Sequence, residues 1–290
     1  MVYDDDYLHF MKLKVGTFVL SAIFVILTIF FLFKNGLSFG IDFTGGILFD
    51  ITAKAKIEDI RENLTENKIG DFSVQGYGES GFIIRIAQTQ QDTSYTNRVK
   101  SILDTFFKDE ITYNKIDFVG PQVGKELIKN GIIAFILSLV AISFYIWFRF
   151  EWNFAVGVII TLIHDILILF GIYSFFRIDF DLTSVAAILT VMGYSMNDTV
   201  VIYDRLREFI PKYKNKSLTE IIDRSLTTTL RRTLLTSSTT LISLLILGFY
   251  GGDSIKFFSL IVFIGIIIGT YSSFFISAPV LLYINGQDKK

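Results

Sequence analysis

The chain has 290 residues, of which 51% are hydrophobic and 19% charged, with a net charge of −1. A soluble domain of this length needs more polar surface, which excludes a single soluble globule. It has no cysteine and two histidines, so thiolate sites are excluded and a His-rich metal site is not expected; the charge argues against nucleic-acid binding. We expect neither metal nor cofactor.

Six apolar segments are long enough to span a membrane. A spanning helix needs about 20 mostly apolar residues. Residues 1–14 precede the first segment, which is too long for a removable signal peptide and is not followed by a small-residue cleavage site. The predicted spans are residues 15–33, 131–148, 152–176, 182–203, 233–252 and 257–284.

Residues 34–130, between the first two spans, form a more polar segment and predict a separate domain. Its hydrophobic patterns predict four strands and two helices in the order βαββαβ, which is that of a ferredoxin-like α+β domain. The predicted strands are 47–52, 72–75, 82–86 and 113–119, and the predicted helices 57–66 and 96–107. The fold class is therefore an α-helical polytopic membrane protein that carries this domain.

A glycine-rich segment follows the first span and contains Gly40, Asp42, Thr44, Gly45 and Gly46. Its glycines permit a tight turn into the first strand, and the Asp and Thr side chains can accept hydrogen bonds from loop N–H groups. The Gly-Lys-Ser/Thr of a phosphate-binding loop is missing. We favour a structural role and expect the energy source to be other than a nucleotide.

Lysine and arginine predict the orientation. Lys12 and Lys14 precede the first span, and residues 204–232, between spans four and five, contain eight basic and four acidic residues. Cytoplasmic loops carry the basic excess of membrane proteins. Both termini and the 204–232 loop are therefore predicted to be cytoplasmic and residues 34–130 to be extracytoplasmic.

Asp198 is an acid inside the fourth span. An ionised carboxylate in hydrocarbon costs several kcal/mol unless it is paired or hydrated, so this acid is either protonated or faces a cation or water inside the bundle. A group that can hold both charge states suits proton transport. The alternative is a polar contact that joins helices. We favour the functional interpretation.

Arg231 and Arg232 begin the fifth span. Adjacent helical residues diverge by about 100°, so at most one of them points into the bundle. Both can be positive-inside anchors, or Arg232 can be a counter-ion of Asp198. Their spacing leaves the two interpretations open.

Other polar residues lie within the third and fifth spans. Asp165 either joins the network of Asp198 or bonds a neighbouring helix, and the adjacent His164 faces elsewhere and is not expected to be a ligand. Most hydroxyls of span five should satisfy helix contacts or their own backbone, and a minority could line a water path. They belong to Thr233, Thr236, Ser237, Thr239 and Thr240.

Four segments together resemble the SecD/SecF family of protein-export membrane proteins. They are residues 40–46, 193–208, 224–237 and 269–273. The resemblance places the family's essential acid on Asp198 and its arginine on Arg232, which favours the counter-ion interpretation. Asn197 is part of the same motif, as are the residues expected at its cytoplasmic end, Asp204, Arg205, Arg207 and Glu208.

The resemblance implies a function in protein export. Members pair with SecD in a pseudo-symmetric twelve-span unit similar to resistance–nodulation–division transporters. This unit works with the SecYEG channel and SecA in the bacterial inner membrane, and uses the proton-motive force to move secretory polypeptides. Such coupling is not enzymatic chemistry. The alternatives are a proton-coupled exporter of small molecules or lipids, and a structural subunit whose partner does all the proton work.

Overall fold

The computed structural model describes residues 7–78, 80–87, 92–108, 110–251 and 253–284. Residues 1–6 of the predicted N-terminal segment and residue 252 of the predicted fifth span lie outside them. The chain divides into a helical unit, Met1–Ser38 with Ala134–Lys290, and a sheet domain, Phe39–Ile133.

The elements alternate between long helices and short strands. In chain order they are a 3-10 turn Phe10–Leu13, α1 Lys14–Asn35, β1 Ser38–Phe39, α2 Ile41–Thr44, β2 Gly46–Ala53, α3 Ile57–Glu66, β3 Phe72–Tyr77, β4 Gly81–Ile86, α4 Thr93–Phe107, β5 Ile111–Val119, α5 Pro121–Arg149, α6 Trp152–Phe176, β6 Asp179–Phe180, α7 Leu182–Lys212, α8 Leu218–Tyr250, α9 Asp253–Ser272, a π-helix Ser273–Ser277 and α10 Ala278–Ile284.

Six helical segments within the described residues are long and apolar enough to cross a membrane, as predicted. They are Phe10–Asn35, Gln122–Arg149, Trp152–Phe176, Leu182–Lys212, Leu218–Tyr250 and Ile255–Ile284. α6 is largely buried among the others, whereas most side chains of α1 and α5 are exposed and apolar. The lipid-facing and inward-facing helices are thus distinct.

The helices extend beyond the apolar segments because capping residues, rather than hydropathy, determine where a helix begins. Asp181 and Ser184 form a capping box at the start of α7, in which the Ser184 N–H donates to Asp181 at 2.7 Å. The Glu220 N–H donates to the N-cap Ser217 at the start of α8. The 204–232 segment is therefore mostly helical, with a connection of residues 213–217 between α7 and α8.

Two glycines bring α9 against α7. An added Cβ would lie 2.2 Å from the Val191 side chain at Gly265 and 2.8 Å from the Ser195 Cβ at Gly269. Small residues four positions apart let membrane helices approach closely. This approach puts the hydroxyl-rich end of α9 in contact with the middle of α7.

The sheet domain has the predicted ferredoxin-like fold. Its four antiparallel strands lie in the order β3-β4-β2-β5, and Phe49 on the central β2 is opposite Ile84 and Ile116. Alternate residues of β2 are buried in an apolar core with α3 and α4. The core residues are Ile47, Phe49, Ile51, Ala53, Ile60, Leu64, Ile69, Val74, Phe82, Ile84, Ile86, Val99, Leu103 and Phe107.

The glycine-rich segment has a structural role within the sheet domain. Gly40 is the N-cap of the one-turn helix α2, which contains Asp42, and Gly45 ends it with a φ of 73°. Gly46 has a φ of 122°, and a Cβ there would lie 2.4 Å from the Ile86 carbonyl oxygen. Since L side chains rarely adopt such angles, both positions require glycine.

Candidate intramembrane polar site

Two buried aspartates lie in the apolar parts of α6 and α7. Asp198 on α7 and Asp165 on α6 are each 1% exposed. Buried acids are costly unless they are hydrogen-bonded, paired or protonated, so their partners decide which charge states they can hold.

Asp198 is held by hydroxyl groups. The Thr270 hydroxyl on α9 donates to its Oδ2 at 3.2 Å. Ser237 on α8 lies beside the same carboxyl group and 3.1 Å from the Thr270 hydroxyl. A hydroxyl can donate to a carboxylate or accept from a carboxylic acid, so this cluster suits both charge states of Asp198.

The structure places Arg232 near Asp198 but not in contact with it. None of the ion pairs between described residues joins the two, and the Arg232 side chain is exposed on α8, although its charge acts on the carboxyl group. Asn197 is exposed on α7, and the Thr236 hydroxyl donates to the Arg232 carbonyl of its own helix. The roles of Arg232 and Asn197 stay predictions.

Asp165 has a separate set of partners. Its Oδ2 accepts hydrogen bonds from Ser195 on α7 at 2.7 Å and from Ser272 on α9 at 2.9 Å. Its Oδ1 lies 3.0 Å from Nδ1 of His164, which is also buried. Asp165 therefore binds two neighbouring helices and its own neighbour, and His164 does not face elsewhere as the sequence suggests.

α9 lies between the two acids. Thr270 contacts Asp198 and Ser272 contacts Asp165, two residues further along. The π-helix begins at the next residue, where the Ser273 hydroxyl lies 2.9 Å from that of Thr199 on α7. Such π-segments are often found at functional sites. The sequence interpretation did not assign roles to these hydroxyls, although 269–273 was among its matching motifs.

Hydrogen bonds join the C-terminal part of α7 to the C-terminal end of α5. Arg149 donates to Asp204 at 2.9 Å, and Arg207 donates to the Arg149 carbonyl oxygen. Arg205 bonds Glu208 one turn further along the same helix. All four motif residues therefore make contacts near the C-terminal end of α7, six to ten residues beyond Asp198. Exposed ion pairs of this kind contribute about 1 kcal/mol or less.

The two acids share a helix as a hydrogen-bonding partner. Asp198 accepts a hydrogen bond from Thr270 and Asp165 accepts one from Ser272, so both carboxyl groups contact α9. In the part of the chain that the structure describes, no group of three His, Cys, Asp or Glu residues could hold a metal ion.

Comparison with known proteins identifies the family. The model for the C-terminal region of the protein-export membrane proteins SecD and SecF matches residues 98–287, and that for the SecD/SecF GG motif matches residues 30–57. The chain belongs to the SecD/SecF family. The resemblance seen in the sequence is thereby confirmed, and the chain is a multi-pass membrane protein.

Relatives in this family cover nearly the whole chain. Protein translocase subunit SecF of Rickettsia bellii is 43% identical over 96% of this chain and 92% of its own length, and that of Haemophilus influenzae is 42% identical over 94% and 84%. The crystal structure of SecDF from Thermus thermophilus superposes with a TM-score of 0.88 at 31% identity. The match covers 98% of this chain and 40% of that one.

Proposed function

We propose that this chain is a SecF-type accessory subunit of the Sec protein translocase, which acts with SecD to couple the proton-motive force to late steps of export. The observation that carries the mechanism is Asp198, a fully buried acid held by a hydroxyl from a neighbouring helix. The family names of its relatives support protein export over a small-molecule or lipid exporter.

Proton binding at Asp198 would drive repacking of the helices. Protonation removes the buried charge, weakens its attraction for Arg232 and reverses the hydrogen bond with Thr270. Deprotonation on the other side of the membrane restores the first state. One charge that crosses about 100 mV supplies about 2.3 kcal/mol, which is enough to bias a modest two-state change.

An exposed polar face in the membrane supports a SecD-type partner. On α7 it contains Thr183, Thr190, Gly193 and Asn197, which share one side of the helix. On α8 it contains Arg232, Thr239 and Ser243. Small and polar residues favour contact with another helix over contact with lipid. We define these seven residues as the polar face and propose that SecD covers it, so that Asn197 and Arg232 complete the proton path there.

The orientation follows from charge. The basic residues of 204–232 favour the cytoplasmic side for that connection and for both termini. The sheet domain would then face outward, where it meets the emerging polypeptide. We further propose a bacterial inner-membrane location and cooperation with the SecYEG channel and SecA.

The Asp198→Asn variant tests the mechanism. Vesicles that contain the complete translocase and SecD should lose the acceleration of export by a proton gradient, because asparagine cannot take up the proton. ATP-driven steps should remain unchanged. Ser259→Ala, which removes a buried hydroxyl of α9 without a partner among the described residues, is the matched control. Acceleration equal to wild type in Asp198→Asn would assign the proton work to SecD alone.

The Gly193→Val variant tests the partner surface. No heavy atom of a non-adjacent residue lies within 4 Å of a Cβ at this position, so the chain itself tolerates the side chain. Copurification of SecD should fall while the thermal stability of the isolated chain is unchanged. Gly16→Val, an equally open position on α1, should retain SecD. Equal retention of SecD by both variants would place the interface elsewhere.

A further inference from the structure

The His164–Asp165 pair is a second titratable unit inside the bundle. Both residues are buried, and Nδ1 of His164 lies 3.0 Å from Oδ1 of Asp165. The remaining oxygen of Asp165 accepts two hydroxyl hydrogen bonds. With Nδ1 as the donor, the carboxylate accepts three hydrogen bonds and the pair carries a charge of −1.

The surroundings offer no other cation to balance this charge. α6 packs against α1, α7, α9, the π-helix and α10. Their apolar parts, residues 15–33, 182–203 and 257–284, contain no lysine or arginine. Their titratable groups are Asp198 and four tyrosines, namely Tyr194, Tyr203, Tyr271 and Tyr283. A second acid makes the negative charge of the pair more costly, and one proton would neutralise the pair.

The second imidazole nitrogen is the atom that would bind that proton. Nε2 of His164 is buried and has no hydrogen-bond partner among the residues that the structure describes. A buried polar atom without a partner is costly and calls for an explanation. As the unprotonated nitrogen of the Nδ1–H tautomer, Nε2 is the atom that would take up the proton.

We propose that His164 and Asp165 form a second proton-binding site of this chain, which takes up one proton as an imidazolium–carboxylate pair and is coupled to Asp198 through α9. Uptake changes the charge of the pair from −1 to 0 with no bond other than N–H formed. The second site itself does not depend on the proposed function, whereas its coupling to Asp198 rests on the proposed function.

The coupling runs through a short stretch of backbone. Ser272 contacts Asp165, and Thr270, on the same turn of α9, contacts Asp198. Ser273, which opens the π-helix, donates to the Ser195 carbonyl oxygen on α7. Movement of α9 toward one acid therefore alters its contact with the other, which gives the two protons a physical link.

Histidine labelling can test the site because the chain contains two histidines, His9 and His164. The ¹⁵N-histidine-labelled chain is combined with unlabelled SecD in lipid bilayers and observed by NMR, with His9→Gln to assign the signals. Spectra are recorded from about pH 8 down to about pH 5, and His164 should change from the neutral Nδ1–H tautomer to the imidazolium as the pH is lowered. A single charge state of His164 throughout this pH range would overturn the proposal. This test needs only the wild-type complex, so it does not depend on whether a variant folds.

Three variants test the parts of the proposal. In Asp165→Asn the imidazole loses its counter-charge and should stay neutral across this pH range. Asp198→Asn should change the pH at which His164 becomes charged, and Ser272→Ala should reduce that change. An unchanged titration of His164 in Asp198→Asn would overturn the coupling. Wild-type proton-driven export by Asp198→Asn, with His164 still titrating, would instead refute the proposed function and leave the second site intact.

Discussion

The sheet domain and the helical unit differ in the polarity of their interiors. α3, α4 and the sheet enclose an apolar core, whereas α6 and α7 of the helical unit bury Asp165, Asp198 and His164 beside a series of hydroxyls. In water, burial of apolar surface drives folding. In lipid, burial of apolar surface between helices gives no such gain in free energy, and close packing and polar contacts hold the helices together instead. Polar groups inside the helical unit therefore contribute to the contacts that join its helices.

The largest expected difference between the two interiors concerns Phe49. Its side chain is fully buried in the sheet domain, and Phe49→Ala should lower the stability of that domain by about 3–5 kcal/mol. Hydrogen exchange on the full chain in detergent should show faster exchange in β2, β4 and β5.

Phe33→Ala is the matched control in the helical unit. Phe33 is 89% exposed within the chain and lies in the last turn of α1. Its loss should leave exchange in the helices nearly unchanged. An equal effect of both variants would show that the two regions do not differ as described.

Close packing in the helical unit is tested at Gly269. Valine there would clash with the Ser195 Cβ, which belongs to the rigid part of that side chain. Gly269→Val should destabilise the helical unit by about 1–3 kcal/mol, measured as thermal unfolding in detergent. Gly193→Val, at an open position on α7, is its control. Unchanged unfolding of Gly269→Val would exclude close α7–α9 packing as a source of stability.

Helix capping should have a smaller effect. Asp181→Ala removes the side chain that accepts from the Ser184 N–H and should cost about 1 kcal/mol. Amide exchange at the first turn of α7 measures the loss. Asp181→Asn keeps an acceptor and should restore most of the protection. Equal exchange in both variants would mean that charge, rather than the hydrogen bond, matters at this cap.

The smallest expected effect is a pH dependence in the sheet domain. Hydrogen bonds from the Ser94 hydroxyl and N–H lower the pKa of Asp92, the N-cap of α4. Its contribution is therefore fully present above the unfolded pKa of about 3.9 and is lost as pH falls through the lower folded value. Exchange at the start of α4 should rise in this acid range, and Asp92→Asn should not show the rise.

Local pattern predicted much of the architecture. The alternation of Ile47, Phe49 and Ile51 predicts β2, and the spacing of Ile60 and Leu64 predicts α3, which has the bounds expected. Both signals arise because side-chain direction follows backbone period. The sequence predicted the ends of α7 and α8 less well. Hydropathy shows where a helix leaves the apolar layer, whereas capping residues show where the helix itself begins or ends.

The sequence by itself determined the six apolar segments, the order of the sheet domain and the identity of the buried acids, because each depends on neighbours along the chain. Only the tertiary structure decided that Thr270 and Ser272 of α9 contact Asp198 and Asp165, and that His164 turns to Asp165. It also decided that Arg232 lies near Asp198 without forming an ion pair with it. These outcomes depend on which faces of separate helices meet, and close approach at Gly265 and Gly269 sets that geometry for α7 and α9.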